Sequence, residues 1–234
     1  MARLPRLAID SELHLLVHRA APGVVMTAQD DDRLDLHAAL LTVSREADVA
    51  IHAYSLLPDR LWLLLTPRQG VALSGMMQRL GRRVAGSYNR RHQHSGSPWQ
   101  GRFGVAVLQA SSCWLDAMCL VESAADRLGL TLEPGTWPAS SAGHHLGRRI
   151  DLLIAEHPLY WSLGNTPFER EAAYRRCFMT PLPVARVKQL EEASLKGWAV
   201  GEQAYLSQLA QQQARRLQPG KPGRPRMLGS PKPL

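Results

Sequence analysis

Val49-Ala50-Ile51-His52-Ala53-Tyr54-Ser55-Leu56 runs into Pro58-Asp59 and then into Leu61-Trp62-Leu63-Leu64-Leu65-Thr66. Both runs are apolar and of strand length, and the Pro-Asp pair between them is a turn signal. The reading is a β-hairpin. Upstream, Leu13-His14-Leu15-Leu16-Val17-His18 reads as another strand, and Asp30 to Asp48 as a helix with Leu34, Ala38, Leu41 and Arg45 at helical spacing. Downstream, a helix is expected from Leu73 to Arg91, with Leu73, Met76, Met77, Leu80 and Val84 in one apolar stripe. Arg79, Arg82, Arg83 and Arg90 fall on a neighbouring face, roughly a third of a turn away on the 3.6-residue period.

Phe103 to Gln109 reads as a fourth strand. Ser111 to Leu128 reads as a helix closed by Gly129, with Trp114, Met118, Val121, Ala125 and Leu128 as its core stripe. The order strand-helix-strand-strand-helix-strand-helix predicts an α+β fold, a ferredoxin-like antiparallel sheet with helices on one face. This domain is expected to span residues 1–148. Residues 149–217 read as a helical C-terminal extension, with Thr166-Pro167-Phe168-Glu169 as a helix start and a Gln-rich polar helix from Gln203. Residues 218–234 read as a basic disordered tail, because Gly-Lys-Pro-Gly-Arg-Pro-Arg cannot bury a core.

The chain of 234 residues carries a formal charge of +8. Such a balance suits phosphate-rich partners, although a merely soluble basic protein has it too. The last stretch concentrates the charge: Arg215, Arg216, Lys221, Arg224, Arg226 and Lys232 occur there without an acid. Cys113, Cys119 and Cys177 form no C-x-x-C pair, which argues against a disulfide framework or a zinc knuckle. No apolar run reaches the length of a membrane span, and no signal-peptide core opens the chain, so no membrane role and a cytoplasmic location are expected.

A series of short motifs adds a resemblance. They are Met1-Ala2-Arg3-Leu4-Pro5-Arg6-Leu7, Ile51-His52-Ala53-Tyr54, Leu80-Gly81-Arg82-Arg83, Tyr88-Asn89-Arg90-Arg91, Trp99-Gln100-Gly101-Arg102-Phe103, Trp137-Pro138-Ala139-Ser140-Ser141, His144-His145-Leu146-Gly147, Gly197-Trp198-Ala199-Val200-Gly201 and Gly223-Arg224-Pro225-Arg226. In this order and spacing the chain resembles the REP-associated tyrosine transposases. The resemblance implies recognition of a short palindromic DNA hairpin and cleavage of single-stranded DNA beside it. It also implies two histidines holding Mg²⁺ or Mn²⁺, a helix tyrosine as nucleophile, and an asparagine four residues later as a third ligand.

The chain departs from that family at all four chemical positions. The family's histidine pair corresponds to Arg60 and Trp62, its nucleophile to Leu120 and its asparagine to Ala124. Arginine stays protonated and tryptophan offers only an N–H, so neither replaces an imidazole ligand. Leucine and alanine carry no reactive group. No catalytic residue, metal ligand or cofactor is therefore expected. Leu120 lies about 120° from the core stripe of its helix on the 3.6-residue period, which predicts that it packs against Trp62 and seals the former cleft.

Relocated chemistry is the alternative. Tyr88 could serve as a nucleophile, with core or groove packing as its other role. His92-Gln93-His94 has a His-x-His pattern, but solvated loop histidines explain it better than a metal site does. Asp30-Asp31-Asp32 reads as the acidic first turn of a helix, favoured by the helix dipole. For binding, Arg79, Arg82, Arg83, Arg90 and Arg91 are candidate phosphate contacts. Trp99 and Arg102 are candidates to stack on and hold an unpaired base, with Trp99 equally readable as a core anchor. Arg60 and Trp62 place a fixed positive charge at the former metal position. Arg224 and Arg226 resemble a minor-groove-reading arm, or an unspecific basic tail. The expected function is binding of hairpin or single-stranded DNA without strand cleavage. The alternatives are residual metal-dependent cleavage and rejoining through a tyrosine, and an interaction remnant with no nucleic-acid role. Target sequence and oligomeric state are not encoded legibly.

Overall fold

A computed structural model describes residues 6–213 and 215–219. In chain order come β1 (Leu13–Arg19), α1 (Asp30–Glu46), β2 (Val49–Leu56), β3 (Arg60–Pro67), α2 (Gly70–His92), β4 (Gly104–Leu108), α3 (Ala110–Glu122) and α4 (Ala124–Arg127). Then follow α5 (Ala142–His145), α6 (Pro158–Trp161), α7 (Pro167–Phe178), α8 (Val184–Lys196), β5 (Ala199–Val200) and α9 (Gln203–Gln212). The sheet has the order β2-β3-β1-β4-β5. The first four strands pair antiparallel, as expected of a ferredoxin-like layer, and the fold is α+β. β5 adds a parallel edge that the sequence does not announce, with Val107 opposite Ala199. A bulge in β2 lies between Ile51 and Ala53. His52, the extra residue there, is held by Ala155 O (2.6 Å) and Thr66 Oγ1 (2.9 Å).

Helices cover both faces of the sheet, not one. Leu16, Leu61, Leu63 and Leu65 pack with Leu36, Leu40 and Val43 of α1 and Leu73, Met76 and Leu80 of α2. On the opposite face Leu15, Val17, Trp62 and Leu64 pack with α3, α7 and α8 residues, among them Met118, Leu120, Tyr174 and Leu190. The cause is visible in the strands themselves. β1 and β3 are apolar at successive positions rather than alternate ones, and a strand of that kind is buried on both sides. Burying a leucine-sized side chain contributes roughly 1.5–3 kcal/mol, so leaving either face wet is strongly disfavoured.

Two helical stripes also differ from expectation. α1 buries Leu36, Leu40 and Val43, while Leu34 is 66% exposed. The helix carries apolar residues on two faces, and its contact with α2 selects the other phase. The expected helix at 111–128 is interrupted: α3 ends at Glu122, and α4 begins after Ser123. Leu128 is exposed, whereas Leu120 is fully buried. α3 is covered nearly all round because α7 and α8 pack on the side that the sequence alone leaves to solvent.

A buried carboxylate fastens this second layer. Glu122 of α3, with no exposed side-chain surface, accepts from Ser141 Oγ (2.5 Å), His145 Nδ1 (2.7 Å) and Tyr174 OH (2.6 Å). A buried charge is tolerated only when its lone pairs are satisfied in this way. α8 approaches β4 closely. A Cβ on Gly104 would run into the backbone oxygen of Ser194, so only glycine fits there. Gly197, at φ +73°, caps α8 in the left-handed conformation and turns the chain into β5. Among the described residues no helix is long and apolar enough to cross a membrane. Arg224 and Arg226, with the rest of the expected basic tail beyond Pro219, lie outside the described residues, as do Met1 to Pro5.

Candidate nucleic-acid interface

The four positions that the resemblance assigns to chemistry lie at one end of the α3 layer. Trp62, Leu120 and Ala124 are each at most 2% exposed and belong to one hydrophobic cluster on the same side of the sheet. Arg60 stands at the start of β3, and its guanidinium holds the neighbouring Asp59 through Nε (3.0 Å) and Nη2 (2.5 Å). That contact holds the Asp59 carboxyl below its usual range and raises Arg60. Arg127 closes the break between α3 and α4, donating from Nη1 to Leu120 O (2.7 Å) and Ser123 Oγ (2.8 Å). A divalent metal does not fit this donor set. A guanidinium, an indole and two hydrocarbon side chains offer no lone pair. Among the described residues no group of three or more His, Cys, Asp or Glu side chains could hold a metal ion.

The arginine face of α2 divides in two. Arg79 and Arg83 face Glu46 of α1, at 3.4 and 3.2 Å. Arg91 reaches Asp32 (2.6 Å) and Asp35 (2.5 Å) of the same helix. These three arginines join α2 to α1. Arg82 and Arg90 are exposed and form no ion pair among the described residues. His92 ends α2 and lies 2.9 Å from Asp32 of α1, and His94 lies 3.0 Å from Asn89 Oδ1, so the pair are held by these partners and are not the solvated loop histidines expected. Asp32 is the nearby carboxylate that the sequence does not reveal. The three aspartates do form the acidic first turn of α1. Tyr88 is 7% exposed and packs in the α1/α2 core, its ring 4.3 Å from that of His92.

Trp99 is a packed anchor. It is 5% exposed, and its ring stacks on His18 at 4.4 Å with an interplanar angle of 8°. It presents no free face to a base, and instead fixes the loop that carries Arg102. His18 is held well below its usual range, at about 4, chiefly by burial. Arg6 lies over the Phe103 ring at 3.8 Å. Burial lowers Arg6 first, and its repulsion with Arg102 lowers it further.

Arg6 and Arg102 mark the junction of two adjoining hollows. One, of about 710 Å³, runs along α2 past Gln78, Gly81 and Arg82 to the Trp99 loop. The other, of about 690 Å³, continues between the β1 and β4 ends and the C-terminus of α8, past Arg19, Lys196 and Arg215. Gly101, Arg102 and Phe103 line both. The result is one groove lined by Arg6, Arg19, Arg82, Arg102, Lys196 and Arg215, with no acidic side chain among the described residues of its wall, although Lys196 pairs with Glu192 at 3.1 Å just outside it. Cations so arranged track a phosphodiester backbone.

No family model matches the sequence, and no curated protein does. Solved structures do. A REP-associated tyrosine transposase bound to a REP hairpin superposes with a TM-score of 0.54 at 14% identity, over 68% of this chain and 93% of that one. The two share a fold. A putative transposase from Deinococcus radiodurans R1 is 17% identical over 50% of this chain and 93% of that chain, with a TM-score of 0.35. At 14% identity the first likeness is one of architecture alone, and residue roles rest on this chain's own geometry.

Of the candidates read from the sequence, the groove unites Arg82, Trp99 and Arg102. Arg79, Arg83 and Arg91 are committed to α1, Arg60 to Asp59, and Arg90 stands outside both hollows. The sequence does not mark Arg6, Arg19 and Lys196 as contacts, and marks Arg215 only as the start of the basic C-terminal stretch. Arg6 stands inside a quoted motif, but the others have no shared periodicity. Only the pairing of β1, β4 and β5 and the close seat of α8 bring them together.

Proposed function

We propose that this chain is a DNA-binding member of the REP-associated tyrosine transposase family, which recognises hairpin or single-stranded DNA and does not cut it. The acid-free groove from Arg82 through Arg6 and Arg102 to Lys196 is the observation that carries the reading. It supplies fixed positive charge over two connected hollows, as backbone recognition requires. The fold shared with a transposase bound to a REP hairpin supports a DNA partner. The reading without cleavage is supported by the side chains at the positions that the resemblance assigns to metal and nucleophile: Arg60 is occupied by Asp59, and Trp62, Leu120 and Ala124 are packed in the core. The reaction needs a ligated metal and an attacking oxygen, and these residues supply neither.

Fluorescence anisotropy tests this with a labelled hairpin carrying a single-stranded flank, against a scrambled strand, across salt concentrations with and without Mn²⁺. Hairpin-selective binding that weakens with salt and ignores metal is the expected outcome. Binding indifferent to salt and to hairpin structure would remove the DNA reading. A Mn²⁺-dependent nick lost in Tyr88→Phe would remove the claim that cutting is absent.

A further inference from the structure

A second cationic site shares no lining residue with the groove. Arg170, the fourth residue of α7, is 6% exposed yet forms no ion pair among the described residues. Its guanidinium lies over the Trp161 ring at 4.3 Å, its Nη1 donates to Gly164 O at 3.2 Å, and its Nε has no partner. A buried cation without a counter-ion is costly. This one borders an open hollow of about 240 Å³, whose wall also carries His144, Arg148, Arg149, Glu156 and Glu171.

Both carboxylates of the wall have contacts of their own within it. Glu156 lies 3.7 Å from His144 Nε2, and Glu171 packs over Gly147. His144 Nδ1 accepts the Asp151 backbone N–H at 3.2 Å, which leaves the ring proton on Nε2, in the wall of the hollow. Arg149 is tied to the carbonyls of Pro138 and Ser140, whereas Arg148 is exposed with no such bonds. The wall thus carries three arginines and two glutamates, and neither glutamate is an ion-pair partner of Arg170 among the described residues.

We propose that this hollow binds a phosphate group, anchored by Arg170 and closed by Arg148. A tetrahedral anion with several oxygens reaches donors in different directions at once, which a planar carboxylate on a fixed stem does not. The group comes either from free phosphate or from the 5′ end of a DNA strand.

Calorimetric titration of the full-length chain with inorganic phosphate, at constant ionic strength in chloride, provides the test. Saturable binding with Kd on the order of 1 mM or tighter is expected. Arg170→Met should weaken it by roughly tenfold or more, and Arg148→Ala by roughly threefold, in line with charge-assisted contacts. Arg148 is exposed, so its variant keeps the test decisive if Arg170→Met fails to fold. Arg82→Ala with Arg102→Ala, in the groove, should leave phosphate binding unchanged. No saturable uptake, or uptake that follows the groove variant instead of Arg148, overturns the proposal, whatever becomes of DNA binding. Oligonucleotides with and without a 5′-phosphate then separate the sources. If a strand end is the ligand, the phosphorylated strand displaces inorganic phosphate and Arg148→Ala erases the difference. If free phosphate is the ligand, the two strands behave alike.

Discussion

The end of the α3 layer and the groove beside α2 carry the same kind of side chain to opposite purposes. Around Trp62 the arginines are spent on the protein: Arg60 on Asp59, and Arg127 on the carbonyl of Leu120. Along the groove Arg82 and Arg102 have no carboxylate at all within the wall. At the first place the cations are held by the protein's own acceptors, and at the second Arg82 and Arg102 are left open for the ligand proposed above. The difference separates stability from binding, and each half can be broken without the other.

The largest effect is expected from Trp62→Ala. The side chain is 2% exposed under β3 and packs in one cluster with Leu120 and Ala124. Its removal leaves a cavity, and stability should fall by about 3–5 kcal/mol in denaturant unfolding. Restoring family-like residues through Arg60→His with Trp62→His should also destabilise the fold, and should bring no cleavage, since Leu120 still has no attacking oxygen. A well-folded double variant as stable as the parent would mean that the region is still an open site.

The groove is next. Arg82→Ala with Arg102→Ala should lower DNA affinity and leave the unfolding midpoint nearly unchanged. Removing one cation from a phosphate flattens the plot of log K against log salt by about one unit, so the pair should remove roughly two units of slope. An unchanged slope would place the DNA elsewhere.

Acidity separates folding from binding in a third way. His14, His18 and His52 are buried and held at about 4, each mainly by burial, below the usual 6.5. Between those values the unfolded chain binds protons that the folded chain refuses, so stability rises with pH there and is lost as pH falls from about 6.5 towards about 4. Each histidine contributes up to about 1.4 kcal/mol per pH unit across that window. The groove's guanidiniums do not titrate there. The melting temperature should therefore drop between pH 7 and pH 5 while the salt slope of DNA binding, measured where the chain stays folded, holds. In His52→Gln the drop should be shallower.

Much of the frame is legible in the sequence. The hairpin at residues 49–66 follows from two apolar runs around Pro58-Asp59, and the buried stripe of α2 from its period. What escapes depends on partners distant in the chain. The phase of α1 is set by α2, so spacing alone cannot prefer Leu36, Leu40 and Val43 over Leu34, Ala38 and Leu41. β5 is only two residues long, too short for any period. Leu120 is out of place on the period of its own helix, and only α7 and α8, packed on top of it, account for its burial. The groove suffers most from this. Arg19, Arg102 and Lys196 converge through strand pairing, and no local pattern marks convergence of that kind.

The smallest expected effect discriminates most finely. Arg79 and Arg83 belong to the same helix face as Arg82, and the sequence treats all three alike. In the structure the outer two reach Glu46 at the solvent-exposed surface, over 3.4 and 3.2 Å. Exposed pairs of this kind contribute about 0–1 kcal/mol. Arg79→Ala with Arg83→Ala should therefore shift the unfolding midpoint only slightly. It should also leave the salt slope of DNA binding where it was, while Arg82→Ala alone reduces it by about one unit. If the outer pair instead costs as much slope as Arg82, the Glu46 contacts give way when DNA arrives. The whole face of α2 then belongs to the interface, and the division between cations spent on the protein and cations kept for a ligand runs through the buried region alone.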